Sequence, residues 1–120
     1  MFKIKSSSKS QPKPIKRKMG LLSRMGLAEE KKYFVENLSM LLASGMSILA
    51  ALKAIRVELK SVQMKRMVRG LEEDINNWSN LSKALDSTHL FSPYVISLIE
   101  IGEQSGRLSE NLEVINIYLL

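Results

Sequence analysis

The sequence predicts an all-α protein, a six-helix antiparallel bundle, and three observations lead there. Apolar residues recur at helical spacing almost without a break from Glu29 onward. No stretch of useful length alternates in the β manner. Short breaks such as "ASGMS", "WSN" and "FSP" separate the periodic segments, as expected of helices that turn back on one another. A length of 120 residues, 45% hydrophobic and 25% charged, suits one ordinary globular domain with a modest core.

Residues 1–24, containing "KIKSSSKSQPKPIKRKMG", show no periodic apolar face and are rich in Lys, Ser and Pro. They are expected to form a disordered or partly extended tail, because they cannot bury enough surface to offset the entropy of ordering. The folded domain is expected over 25–120. In its first helix Phe34, Leu38, Leu41 and Leu42 share one face. Gly45 suits the residue that ends this helix, and Ser47 can cap the next, which carries Ile48, Leu52, Ile55 and Leu59.

A third helix follows on Met64, Met67, Val68, Leu71 and Ile75, with "MKRMVRG" and "EED" on its wet side; Trp78 extends the apolar series and is expected in or beside the core, an anchor for a partner being the alternative. Gly70 costs this helix about 1 kcal/mol relative to Ala. A short fourth helix, capped by Ser79 or Asn80, points Leu81, Ala84 and Leu85 inward. Ser92 and Pro93 open the fifth helix as N-cap and first helical residue, with Val95, Leu98, Ile99 and Gly102 on its face. The last helix carries Leu108, Leu112, Ile115 and Leu119.

The formal charge of +6 divides unevenly along the chain. Of 18 Lys and Arg, eight lie in residues 1–24, which hold no acid; residues 25–120 carry the other ten against all 12 acidic residues, a net of −2. The basicity thus belongs to the tail, and the domain lacks the excess of positive charge that a nucleic-acid binder needs. No nucleic-acid partner is expected. Within the tail Lys13, Lys16, Arg17 and Lys18 are candidates for contact with anionic lipid or an acidic partner; simple solubilisation is the alternative.

The absence of cysteine excludes disulfides, thiolate nucleophiles and cysteine metal sites. No secretory signal is legible at the start. The longest charge-free run, Asn37 to Leu52, has 16 residues broken by "ASGMS", against the roughly 20 that a membrane span requires. The sole histidine, His89, has no companion for a metal site or a triad and reads as an exposed turn residue. The seven methionines read as core filler.

One stretch asks for a chemical account. "IGEQSGRL" sets Glu103 beside Gly102, with Ser105 before Gly106. The glycines are too few and wrongly spaced for a phosphate loop. Gly102 would let another backbone approach, Gly106 could take the positive φ that ends a helix, and Glu103 could accept hydrogen bonds from a neighbouring helix start. The second reading is a cation or interface cluster of Glu100, Glu103, Glu110 and Glu113, suited to a hard divalent ion such as calcium, within one chain or across a dimer. No catalytic residue, resident metal or cofactor is otherwise indicated.

These landmarks together resemble a known family. "FVENLSMLLASGMSILAALKAI" resembles the opening of the type II secretion system F domain family, and "LFSPYVISLIEIGEQSGRLSENLEVINIYL" its second half, including G-E-x-S-G-x-L. The likeness covers residues 29–120; before "LSKAL", where members usually have glycine, this sequence has "WSN". The resemblance implies the first cytoplasmic domain of a longer platform protein of the bacterial inner membrane, joined to it through segments beyond Leu120. It implies a homo-oligomer without enzymatic activity that couples a cytoplasmic assembly ATPase to pilin or pseudopilin assembly, with other machine components as partners. It also makes Gly45, Gly102, Glu103, Ser105 and Gly106 structural fingerprint positions. A cation-binding regulatory module and, further off, a nucleic-acid-binding protein using the tail are the alternatives.

Overall fold

The computed structural model describes residues 12–119, with side chains from residue 26 onward. Six helices and no strand are present among the described residues: α1 Pro12–Ala43, α2 Ile48–Glu58, α3 Val62–Asn76, α4 Leu81–Asp86, α5 Pro93–Ser105 and α6 Leu108–Tyr118. They form the expected antiparallel bundle, with α1 lying along α6, α6 along α5, α5 against α4 and α2 against α3.

Local chemistry sets most boundaries. Ser47, Ser61 and Ser92 each adopt extended backbone and accept the N–H three residues on, which supplies a partner for one of the donors left free at a helix start. α1 ends in a paired-bond cap: Gly45 takes φ +98°, its N–H donates to Leu42 O, and the Met46 N–H reaches back to Leu41 O. The core runs down the axis as Phe34, Leu38, Leu52, Ile55, Met64, Val68, Leu71, Leu85, Ile99, Leu112 and Ile115, all buried. Each such side chain contributes about 1.5–3 kcal/mol by leaving water.

Three expectations need correction. The first helix starts at Pro12 rather than near Glu29, so residues 12–24 are helical where an irregular tail was expected. Pro12 and Pro14 fall in its first turn, where the missing N–H costs nothing, and the Lys, Arg, Met and Leu that follow are good helix formers that extend a helix anchored further on. Residues 1–11 lie outside the described residues, and Leu27 is the first of the described side chains that packs against the core.

Glu72, expected on the wet side, is buried at 9% exposure, where its two carboxylate oxygens accept from Arg56 Nε at 2.6 Å and Nη2 at 3.2 Å. That hydrogen bond holds the Arg56 pKa above its ordinary value. Trp78, expected in or beside the core, is 97% exposed. α3 stops at Asn76, and the next two residues turn the indole outward.

The two ends of the bundle differ. At one, Ile48, Ile75, Asn80, Leu81, Glu103 and Leu108 surround a hollow of about 210 Å³, bringing together the start of α2, the end of α3, the start of α4, and the α5–α6 corner. At the other, Glu30 accepts the Lys60 N–H at 2.9 Å and the Ser61 N–H at 3.3 Å. Lys31 there donates to Leu90 O at 2.8 Å, and the Tyr94 and Tyr118 rings meet at 4.9 Å. None of these cross-links carries a local sequence signal. Among the described residues no helix is long and apolar enough to cross a membrane.

Candidate functional site

The corner between α5 and α6 is built from Gly102, Glu103 and Gly106, three of the residues that the sequence singles out. α4 has six residues and could not persist alone, so its free N–H groups must find partners outside the helix. Glu103 supplies two: its carboxylate accepts the Leu81 N–H at 2.6 Å and the Ser82 N–H at 3.1 Å. The Asn80 side chain accepts the third, from Lys83, at 2.8 Å, and takes the Ser82 hydroxyl at 3.1 Å. A carboxylate at this position also meets the positive end of the α4 dipole. Glu103 therefore fastens the end of α5 to the start of α4.

Gly102 governs the other side of the corner. A Cβ at this position would lie 2.9 Å from Leu108 Cα and 3.3 Å from Arg107 O, so only hydrogen allows α6 to approach this closely. Gly106 makes the turn at φ +74°, and the Arg107 N–H closes it onto Gly102 O at 2.9 Å. Ser105, the last residue of α5, is exposed. Asn111 then donates from its side chain to Leu98 O at 2.8 Å, and Ser39 to Ser109 O at 2.8 Å, tying α6 to α5 and to α1.

The four glutamates of the candidate cation cluster are not brought together. Glu103 is committed to α4, and Glu100 is exposed on α5. Glu110 and Glu113 face the opposite way, lining with Glu36 and Asn116 a groove of about 720 Å³ between α1 and α6. No three His, Asp or Glu side chains among the described residues converge as a metal would require. His89 is exposed with φ +58°. The side chains of Lys13, Lys16, Arg17 and Lys18 lie outside the described residues.

Sequence reasoning missed what Trp78 does. Its N–H donates to Ile75 O and that of Ser79 to Asp74 O, the same paired-bond ending that Gly45 makes for α1, and Trp78 stands in the glycine place at φ +74°. The signal was the absent glycine in "NWSN". A left-handed conformation costs an L-residue about 1–2 kcal/mol, and the exposed indole recovers none of it by packing. Trp78→Gly is therefore expected to raise unfolding stability by roughly 0.5–1 kcal/mol, after allowing for glycine's extra chain entropy. Urea unfolding followed by helical circular dichroism checks this; a loss of stability would mean that the ring packs somewhere.

What the site defines is a helical domain whose polar corner is spent on holding helices together. The comparisons agree with that class. The family model "Type II secretion system (T2SS), protein F" matches residues 34–120, and the chain belongs to this family. It is 29% identical over 80% of its length to the type II secretion system protein F of Aeromonas hydrophila, covering 25% of that relative. It is 33% identical over 62% of its length to the protein of that name in Vibrio cholerae, covering 18%. It is also 29% identical over 78% of its length to the type 4 fimbrial assembly protein PilC of Pseudomonas putida, covering 22%. The chain thus spans a quarter or less of the length of these relatives.

Proposed function

We propose that this chain is a cytoplasmic domain of a platform protein at the bacterial inner membrane. There it links an assembly ATPase to the assembly of pilin or pseudopilin subunits and associates with further copies of itself. The observation that carries the reading is the G-E-x-S-G corner, which lies inside the matched residues 34–120 and builds the α4–α5–α6 junction. A domain in which side chains cap the starts of α2, α3, α4 and α5 suits a part that transmits contacts between partners, and its polar residues serve packing rather than catalysis.

The test is direct binding. Purified residues 1–120 should bind the assembly ATPase encoded with the same machine, measured by calorimetry, and deletion of the domain should abolish secretion or piliation. Retention of either output by the deletion strain would sink the reading. Calcium binding is a secondary proposal that needs carboxylates from two copies of the chain, since no three acidic side chains converge within one among the described residues. Titration with calcium, against a chelator control, tests it.

The basic residues near the start of α1 belong to the same reading. Lys13, Lys16, Arg17 and Lys18 contact anionic headgroups, each adding about 1 kcal/mol near the surface, screened beyond a Debye length. Removing residues 1–24 should weaken sedimentation with anionic vesicles at low salt, while the same vesicles in high salt should bind neither form. Equal binding by the truncated chain would remove the lipid role.

A further inference from the structure

The two halves of α1 carry their apolar residues on different sides of one helix. In the second half Phe34, Val35 and Leu38 are buried and mark the side that meets the core. At about 100° per residue, Ile15, Met19 and Leu22 of the first half fall on a second line at i, i+4 and i+7, roughly 140° around the axis from the first. The register of the buried line is held there by Lys13, Lys16, Arg17 and Arg24. This order is legible only once residues 12–24 are helical, because an irregular chain has no sides.

The rest of the bundle ends before it reaches the second line. Glu30 accepts from Lys60 and Ser61, Lys31 donates to Leu90 O, and Leu27 is the first described side chain against the core. α6 pairs with α1 from the Ser39–Ser109 hydrogen bond and, at about 1.5 Å per residue in both helices, runs out beside about Glu29. Residues 12–25 thus continue for about 20 Å beyond the packed helices.

Composition selects what meets the line. Residues 12–25 hold five bases, Lys13, Lys16, Arg17, Lys18 and Arg24, and no acid; the first acid of the chain is Glu29. Two copies of this helix joined along the line would bring like charges together. An anionic bilayer surface attracts the bases and accepts the apolar line at its acyl boundary, the pattern of a helix that lies in a membrane interface. The acids from Glu29 onward disfavour contact between that surface and the bundle itself.

We propose that residues 12–25 are an interfacial anchor. The start of α1 lies in the plane of an anionic bilayer surface, with Ile15, Met19 and Leu22 at the acyl boundary and the bases among the headgroups. The proposal rests on the lipid reading given above and deepens it, since that reading requires the charges alone.

The chain has no cysteine, so Leu22→Cys and Gly20→Cys each give a single position for an environment-sensitive label, the first on the apolar line and the second across the helix from it. The probes are phosphatidylglycerol vesicles at low salt, with lipid brominated near the top of its acyl chains as quencher. The label at position 22 should be quenched and that at position 20 should not. A triple variant, Ile15→Gln, Met19→Gln and Leu22→Gln, keeps every charge and good helix formers throughout. It should bind the vesicles at least about tenfold more weakly than wild type.

If the triple variant binds as tightly as wild type, or the label at position 22 stays unquenched, insertion falls and the charge-only reading stands. If wild type fails to bind the vesicles, both fall. A label at position 22 that shifts to the blue on concentrating the chain without lipid overturns the proposal in favour of self-association. The same label on the entire gene product, otherwise free of cysteine and reconstituted in these bilayers, should be quenched as well. An unquenched label there means that another part of the polypeptide covers the line, which also overturns the proposal.

Discussion

Glu103→Ala is expected to lower the stability of the domain by about 1–3 kcal/mol, the usual penalty for stranding partly buried donors. Two N–H groups, those of Leu81 and Ser82, lose their acceptor at once, and α4 is too short to hold its start in place without it. Glu103→Gln keeps one carbonyl oxygen and the shape of the side chain but loses the charge facing the helix dipole, so it should cost less. Thermal or urea unfolding of the three proteins gives the order wild type, Gln, Ala. A neutral alanine variant would show that the corner stands without its carboxylate. Were Glu103 instead a calcium ligand, added calcium would stabilise wild type and neither variant.

Gly102 should be the least tolerant position of the corner. A methyl group there would lie 2.9 Å from the Leu108 Cα, and that backbone cannot drift away while the Arg107 N–H is bonded to Gly102 O. Gly102→Ala should therefore cost about 1–3 kcal/mol through overpacking, and Gly102→Val more. Gly70→Ala is the matching control: it adds a Cβ where nothing lies within 4 Å and improves helix propensity by about 1 kcal/mol. Denaturant midpoints should move in opposite directions. A Gly102→Ala protein as stable as wild type would show that α6 can shift without loss.

What could be foreseen from sequence was what is decided locally. Ser47, Ser92 and Pro93 announce helix starts by their own hydrogen-bonding chemistry, and Leu52, Ile55, Ile99, Leu112 and Ile115 announce the core by spacing. Glu103 was legible as an acceptor because an acid in the last turn before a helix-ending glycine, here Gly106, has few uses. Glu72 was not, since its partner Arg56 sits 16 residues earlier on another helix and periodicity carries no information about pairs. Trp78 misled because it continues the apolar series of Ile75 by three residues, and a period does not say where its helix stops. The glutamates near the corner are close in sequence, yet the α5–α6 turn divides them between the α4 side and the α1 groove.

The antiparallel placement of α1 beside α6 also has a mechanical side. Traction applied between the Tyr118 end of α6 and the opposite end of the bundle acts along the helix axes. It would load the Ser39–Ser109 and Asn111–Leu98 hydrogen bonds and the Leu112 and Ile115 contacts together, in shear. The same traction directed across the axis would peel α6 from α1 one contact at a time, at far smaller force. The bundle is thus a strut, stiff in one direction and weak at right angles to it, and the direction of pull decides whether it carries load or opens.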